Sequence, residues 1–339
     1  MSAVSRLVRA RMAARARAAD LRWRNPPELK VHPAGSDTTV YYLVPHLSEP
    51  TGGVKVMYQH VDLLNEMGIA AAVLHEPDGF RASWFANQTP VVSASSIHLR
   101  ANDILVIPEC YAPGFASLPD EVRKFVINQA AYHTFDLVDG DPYAQVPNLL
   151  GLLTVSLDSA DMLRFTFPGL SVSRTRPVVR ADVFHRGPQA LPRLAFLPDR
   201  RAAERHQLLQ MLRARGVDWE LAPIHGVPEA EVARLMRESA IFLSFSERDG
   251  FGLPPAEAMA SGCYVIGYDG GGGREFFDPA YSAPVSDQLG FARAVVEAVA
   301  RPLDELAALG AKASEHVLGT YTVDGLRSDL RAAFEGVLA

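Results

Sequence analysis

Asp249 and Glu257 are two acids separated by seven residues in the stretch DGFGLPPAE, which also holds Gly250, Gly252, Pro254 and Pro255. The prolines suit the first turn of a helix, where a missing N–H matters little. Glycine lets a backbone approach a ligand closely, so the N–H groups of Gly250, Phe251, Gly252 and Leu253 can wall a pocket. A carboxylate at Glu257, in the early turns of that helix, is favoured by the helix dipole and can accept hydrogen bonds from two neighbouring hydroxyls. Upstream, Arg200 and Arg205 follow the apolar run Leu194 to Leu197 and can offer permanently charged, planar forks to phosphate oxygens, with Arg201 an adjacent competitor. The chemistry these residues fit is the grip of a phosphate compound that also carries hydroxyl groups. The plain alternative for any one arginine of RRAAERH is a solvated helix start.

Such groups need strand ends and helix starts to hold them. Ile241 to Phe245 reads as a buried strand, the glycine-bearing acidic loop and a helix from Pro254 follow, and Cys263 to Tyr268 forms a second strand ended by Gly270 to Gly273. Strand, loop, helix, strand places backbone N–H groups at the carboxyl ends of a parallel sheet, where phosphate binds. The four glycines do not make a dinucleotide fingerprint, because position 275 is Glu275, so an oxidoreductase of that type is unsupported.

The first half repeats the pattern. Thr39 to Pro45 reads as a strand, EPTGG as a loop, Val54 to Met67 as an amphipathic helix stopped by Gly68, and Ala70 to His75 as the next strand. Further strands are expected at Ile104 to Pro108, Lys124 to Asn128 and Leu152 to Ser156, and a helix or loop from Pro119 to Glu121. A proline- and arginine-rich stretch, Arg174 to Pro192, reads as a linker. Beyond it come a strand at Leu194 to Leu197, a helix at Ala202 to Arg215, a strand at Trp219 to Ala222, a helix at Glu229 to Ser239, and final helices at Asp287 to Ala300, Leu303 to Val317 and Val323 to Leu338. The fold class is therefore α/β with two doubly wound parallel-sheet domains. The expected boundaries are a basic extension and linker at 1–36, a first domain at 37–180, a second at 181–320, and a C-terminal helix at 321–339 that packs back on the first domain.

At 339 residues, 48% hydrophobic and 21% charged, the chain is long enough for two such domains. A net charge of −6 argues against nucleic-acid binding by bulk electrostatics. Cys110 and Cys263 have no zinc or disulfide spacing, and no apolar run spans a membrane, so a cytoplasmic protein is expected. The segment Met1 to Arg24, rich in arginine and alanine, favours a helix; it reads as a solvated extension, a peripheral contact with an anionic membrane at its inner face, or a contact with another chain.

The segment SFSERDGFGLPPAEAMASGCYVIGYDGGGGREFF closely resembles the signature of the family 4 retaining glycosyltransferases, which share the GT-B fold. PHLSEPTGGVKVMYQHVDLLNEMG is similar to that family's first glycine loop and helix, and LAFLPDRRAAERHQLLQML to the strand and basic loop opening its second domain. The resemblance runs from Thr39 to about Val317. It implies a nucleotide diphosphate-sugar donor with no cofactor or metal, a glycan or lipid-linked acceptor, retention of anomeric configuration, and a place in surface polysaccharide or glycan assembly with a hexosyl or deoxyhexosyl group.

Residue by residue, the resemblance implies ribose binding by Glu257 and a diphosphate clamp of Arg200 and Arg205, the latter standing where the family has lysine. Asp249 stands where the family has a glutamate directed at the donor sugar; one methylene shorter, it needs a closer sugar or a bridging water, and Glu247 is a second acid nearby. The base would lie against Ile224, His225 and Gly226. Gly52 and Gly53 would aim N–H groups at phosphate or acceptor, or simply open a helix. His133, with Tyr132 and Asn128 beside it, stands near the expected anomeric centre or is structural. Glu109, just past a strand end, is a candidate acceptor contact. Asp139-Gly-Asp141 is the nearest approach to a metal motif and reads as a turn. Two other readings share the architecture: a sugar-nucleotide epimerase and a non-catalytic partner subunit.

Overall fold

The computed structural model describes residues 24–187 and 191–338. The arginine-rich N-terminal segment, with the helix and membrane contact expected of it, lies outside these residues apart from Arg24, as does part of the expected linker. The chain divides into two compact units, one reaching Leu153 and including Leu338, the other running from Thr154 to Val337. No described helix is long and apolar enough to cross a membrane.

The first unit runs β1 (Val31–His32), β2 (Val40–Leu43), α1 (Gly52–Glu66), β3 (Ala71–His75), β4 (Val91–Ser93), β5 (Leu99–Arg100), β6 (Ile104–Pro108), a 3-10 helix (Glu109–Ser117), β7 (Arg123–Asn128), α2 (Thr134–Leu137) and β8 (Leu149–Thr154). Its main sheet has the order β4-β3-β2-β6-β7-β8, with β4, β3, β2, β6 and β7 paired in parallel. β3 and β6 are buried at every residue, as befits unbroken apolar runs in a sheet covered on both faces. Strand order reverses between β2 and β6, and a doubly wound sheet leaves a crevice at the strand ends at such a point. The two glycines of EPTGG do not form a loop before α1 but are its first residues, following the N-cap Thr51. Pro119 to Glu121 form a loop, one of the two forms expected there, and the 3-10 helix before it starts at Glu109, directly after β6, with no apolar periodicity to announce it.

The second unit runs α3 (Leu157–Thr166), β9 (Val172–Arg174), β10 (Leu191–Phe196), α4 (Ala202–Ala214), β11 (Glu220–Pro223), α5 (Glu229–Arg237), β12 (Ser239–Phe245), α6 (Leu253–Ala260), β13 (Tyr264–Tyr268), β14 (Ser282–Pro284), α7 (Gln288–Val299), α8 (Leu303–Thr320) and α9 (Val323–Phe334). Its parallel sheet has the order β11-β10-β12-β13-β14 and reverses between β10 and β12. Leu194, Phe196, Ile241, Leu243 and Ile266 from the strands form its core with Leu208, Leu212, Phe291 and Val295 from α4 and α7. Helix α8 approaches the end of α6 so closely that a Cβ on Gly310 would lie 1.9 Å from the Gly262 carbonyl oxygen. Helix α3, absent from the sequence reading, is capped by Ser156, whose side chain accepts the Ser159 N–H, and buries only Ser159, Ala160 and Leu163. Helix α9 is tied within this unit: Asp329 accepts hydrogen bonds from the Arg176 N–H at 3.0 Å and its guanidinium at 2.7 and 2.8 Å. Both cysteines are free thiols.

Candidate functional site

The reversal between β10 and β12 carries the charged residues singled out above. β12 and β13 pair with Ser244 opposite Gly267, whose Cβ, if present, would lie 2.1 Å from the Ser244 carbonyl oxygen. Past these strands the two glycine-bearing loops lock together: the Asp249 N–H donates to the Gly270 carbonyl at 2.9 Å and the Gly272 N–H to the Asp249 carbonyl at 3.2 Å. A Cβ on Gly272 would lie 2.2 Å from the Gly250 carbonyl oxygen, so this glycine is there for backbone-to-backbone packing. The four glycines are thus more than a strand-end turn, since they hold the Asp249 loop. Gly252 (φ 92°) caps α6, which begins at Leu253. Phe251 is buried against Phe276 and Tyr321, with ring centroids 5.1 and 4.8 Å away, and anchors the loop from below.

Above this base lies a small concavity, partly open to solvent, lined by Leu197, Arg200, Ser246, Asp249, Pro254 and Pro255 together with Phe242 to Phe245 of β12. Arg200 Nη1 and the Asp249 carboxylate form an ion pair across it. The Arg200 side chain is 45% exposed and that of Asp249 only 13%. The pair is therefore open to water on the arginine side, where an anion can reach the guanidinium fork. Arg205 donates to the carbonyl oxygens of Pro198 and Arg200, bracing the loop that carries Arg200.

Arg201 is directed elsewhere. It sits in the left-handed region (φ 42°, ψ 49°) as N-cap of α4, a conformation costing a side-chain-bearing residue about 1 kcal/mol. Its Nε donates to the Ser246 carbonyl at 3.0 Å, its Nη1 to Glu204 at 3.0 Å, and its guanidinium lies 4.1 Å from the centroid of the Tyr268 ring. The Tyr268 hydroxyl donates to Glu204, and burial with this carboxylate contact pushes the phenol's pKa well above its usual range. Glu257 is half-buried on α6 in its second turn, beyond the first turn, which holds no acid. Ile224 is buried past β11, its N–H donating to the Phe196 carbonyl at 2.8 Å; Gly226 is exposed at φ 64°, and the intervening His225 bonds Asp199 at 2.9 Å on the surface. Glu247 accepts the Arg201 backbone N–H at 3.3 Å.

The first-unit residues form a separate group. Glu109 is buried and accepts the Ala130 N–H at 2.8 Å; burial raises its carboxyl pKa above the usual value, opposed by backbone hydrogen bonds from Gln129 and Ala130. Gln129 donates to the Gly53 carbonyl at 3.1 Å, and a Cβ on Gly53 would meet its side-chain oxygen at 2.3 Å. Gly53 therefore makes room for a protein side chain, while Gly52 is exposed. His133 is exposed and bonds Asp136 at 2.8 Å; Tyr132 is half-buried beside it. Asn128 donates to Thr134 and Tyr143 at 2.8 and 2.6 Å. Asp141 accepts the backbone N–H groups of Tyr143 and Ala144, holding a turn.

Glu204, Tyr268 and Gln129 escaped the sequence reading. Glu204 had a visible signal, its i,i+3 spacing from Arg201. Asp158 and Glu275 escaped it too. The first pairs with Arg274 at 3.0 Å. The second takes hydrogen bonds from Arg174 at 2.7 Å, the Leu157 N–H at 2.9 Å and the Tyr321 hydroxyl at 3.0 Å, which fixes the end of the glycine loop. Among the described residues no three His, Cys, Asp or Glu side chains group closely enough to hold a metal ion.

Residues 202–315 match the family described as Glycosyl transferases group 1. An alpha-1,6-glucosyltransferase of Actinobacillus pleuropneumoniae serotype 7 (strain AP76) is 27% identical over 262 residues, covering 69% of this chain and 73% of that one. Among solved structures, Anabaena HepE in complex with UDP and glucose aligns over 88% of this chain and 100% of its own at a TM-score of 0.65 and 9% identity. Sucrose-phosphate synthase from Thermosynechococcus elongatus aligns over 88% and 98% at 0.63 and 12%. The fold is GT-B, and the stretch that matches the group 1 model lies within the second unit.

Proposed function

We propose that the protein transfers a sugar from a nucleoside diphosphate-sugar to a hydroxyl of a glycan or lipid-linked acceptor, with retention of anomeric configuration and without a metal ion. The observation carrying this reading is the Arg200–Asp249 pair, set over a concavity at the strand-order reversal of the group 1 domain. Bound donor would take Arg200 from Asp249, because a diphosphate offers more negative charge and two oxygens to the guanidinium fork. Asp249, released, would face the sugar, and Glu257 the ribose hydroxyls.

In the reaction the bond from the anomeric carbon to the diphosphate oxygen breaks and a bond to the acceptor oxygen forms on the same face. The acceptor proton passes to the departing diphosphate oxygen. Arg200 and the N–H groups at the start of α6 stabilise the charge that develops there. Arg205 supports this clamp through the Arg200 loop. UDP is the first nucleotide to test and glucose the first sugar, given the nucleotide and sugar bound to HepE and the name of the Actinobacillus relative.

Thermal unfolding in the presence of UDP, GDP, TDP and ADP tests the reading. One of the four is expected to raise the melting temperature by several degrees, as mass action requires of a ligand held by the native state alone. A cooperative melt unmoved by all four contradicts it. Metal independence predicts that transfer, once an acceptor is found, is unchanged by EDTA.

A further inference from the structure

Arg201 and Asn148 are the two non-glycine residues with positive φ among the described residues. Asparagine enters this region readily; arginine does so only when its surroundings hold it there. Four contacts do so here: Ser246 carbonyl and Glu204 carboxylate on the guanidinium, the Tyr268 face beneath it, and the Glu247 carboxylate on its backbone N–H. Glu204 is itself fixed by the Tyr268 hydroxyl, and its carbonyl accepts Gln288 Nε2 at 3.2 Å. The consequence is a division between neighbours. Arg201 turns onto the end of β13 and does not line the concavity, while Arg200 lines it and pairs with Asp249.

We infer that Arg201 is a positioning residue: its anchorage on Tyr268, Glu204 and Ser246 sets where the Arg200 fork stands over the concavity, and so tunes diphosphate affinity through Arg200. The inference rests on the donor-site reading above. It departs from the expectation that Arg201 competes with Arg200 for the ligand, because its Nε and Nη1 already have protein acceptors.

Isothermal titration with UDP, GDP, TDP and ADP, carrying the tightest binder to the variants, tests it through a double-mutant cycle. Arg201→Gly is the informative change, since glycine keeps the left-handed backbone without strain and loses only the anchorage. It is expected to weaken binding about tenfold, an effect of ~1.4 kcal/mol, with the melting temperature of the unliganded protein held within a few degrees. In the Arg200→Ala background the same change is expected to have no further effect. Tyr268→Leu, which leaves both arginines in place, is expected to weaken binding in wild type and not in Arg200→Ala. Losses that multiply in Arg200→Ala/Arg201→Gly would mean that Arg201 touches the ligand itself, and an Arg201→Gly protein that binds as wild type would mean that its anchorage is irrelevant; either overturns the inference. Failure of wild type to bind any of the four overturns the donor-site reading and the inference together.

Discussion

At the strand-order reversal of the first unit, between β2 and β6, the protein's own groups occupy the strand ends: Glu109 is buried on the Ala130 N–H and Gln129 covers Gly53. At the reversal of the second unit, between β10 and β12, Arg200 and Asp249 face each other across an open concavity, over glycines packed to carry a loop. Both sheets are doubly wound and both reversals offer the crevice that topology provides. What separates them is the side-chain content: Glu109 and Gln129 bonded to neighbouring backbone in one, an ion pair lining a concavity in the other. Topology says where a ligand is able to bind; the state of the hydrogen-bond partners says whether it has something to bind to.

The largest expected effect that sharpens this contrast comes from Gly272→Ala. Its Cβ would be forced against the Gly250 and Asp249 carbonyl oxygens, which are backbone and cannot swing away. A loss on the order of 3 kcal/mol is expected in denaturant unfolding, with loss of nucleotide binding. Next is the pH response of the first unit. His75 is buried, accepts from the Tyr58 hydroxyl and donates to the Val44 carbonyl, and burial lowers its pKa from 6.5 to about 4. The unfolded chain binds this proton at higher pH than the folded one, so stability is complete above pH 6.5 and falls as pH drops toward 4. The share at stake is about 3 kcal/mol, and His75→Gln should remove this slope from the pH dependence of unfolding.

Arg200→Ala is expected to weaken nucleoside diphosphate binding by roughly tenfold or more while leaving the melt in place, the signature of a charged hydrogen-bonding group lost from an exposed site. Glu109→Gln should act oppositely in the first unit. The Glu109 pKa is raised in the fold, so its stabilising share is present below the usual carboxylate value and lost as pH rises through the folded one. The amide isostere is therefore expected to raise the melting temperature at neutral pH. The smallest effect should be Gly53→Ala, under about 1 kcal/mol, because the atom it meets is the free end of Gln129.

Much of this was legible in the order of residues. The β3, β6, β12 and β13 strands are short, largely apolar runs, and their periodicity or its absence marks them. The loop from Asp249 to Gly252 and the start of α6 were visible through Gly252, Pro254 and Pro255. The short α3 and the 3-10 helix after β6 were not, since neither presents a broad apolar stripe. Nor does composition distinguish Arg200, Arg201 and Arg205: the distinction arises from one left-handed backbone and from Tyr268, more than sixty residues away in the chain. The group that approaches Gly53 is Gln129, from another loop, and nothing in the spacing of EPTGG announces it.

Hydrogen exchange with and without saturating nucleoside diphosphate tests the contrast most directly. The account predicts new protection in residues 198–205 and 246–257, with residues 50–56 and 129–133 unchanged. Protection confined to the first-unit segments, or absent from the loop around Asp249 despite bound nucleotide, would contradict it.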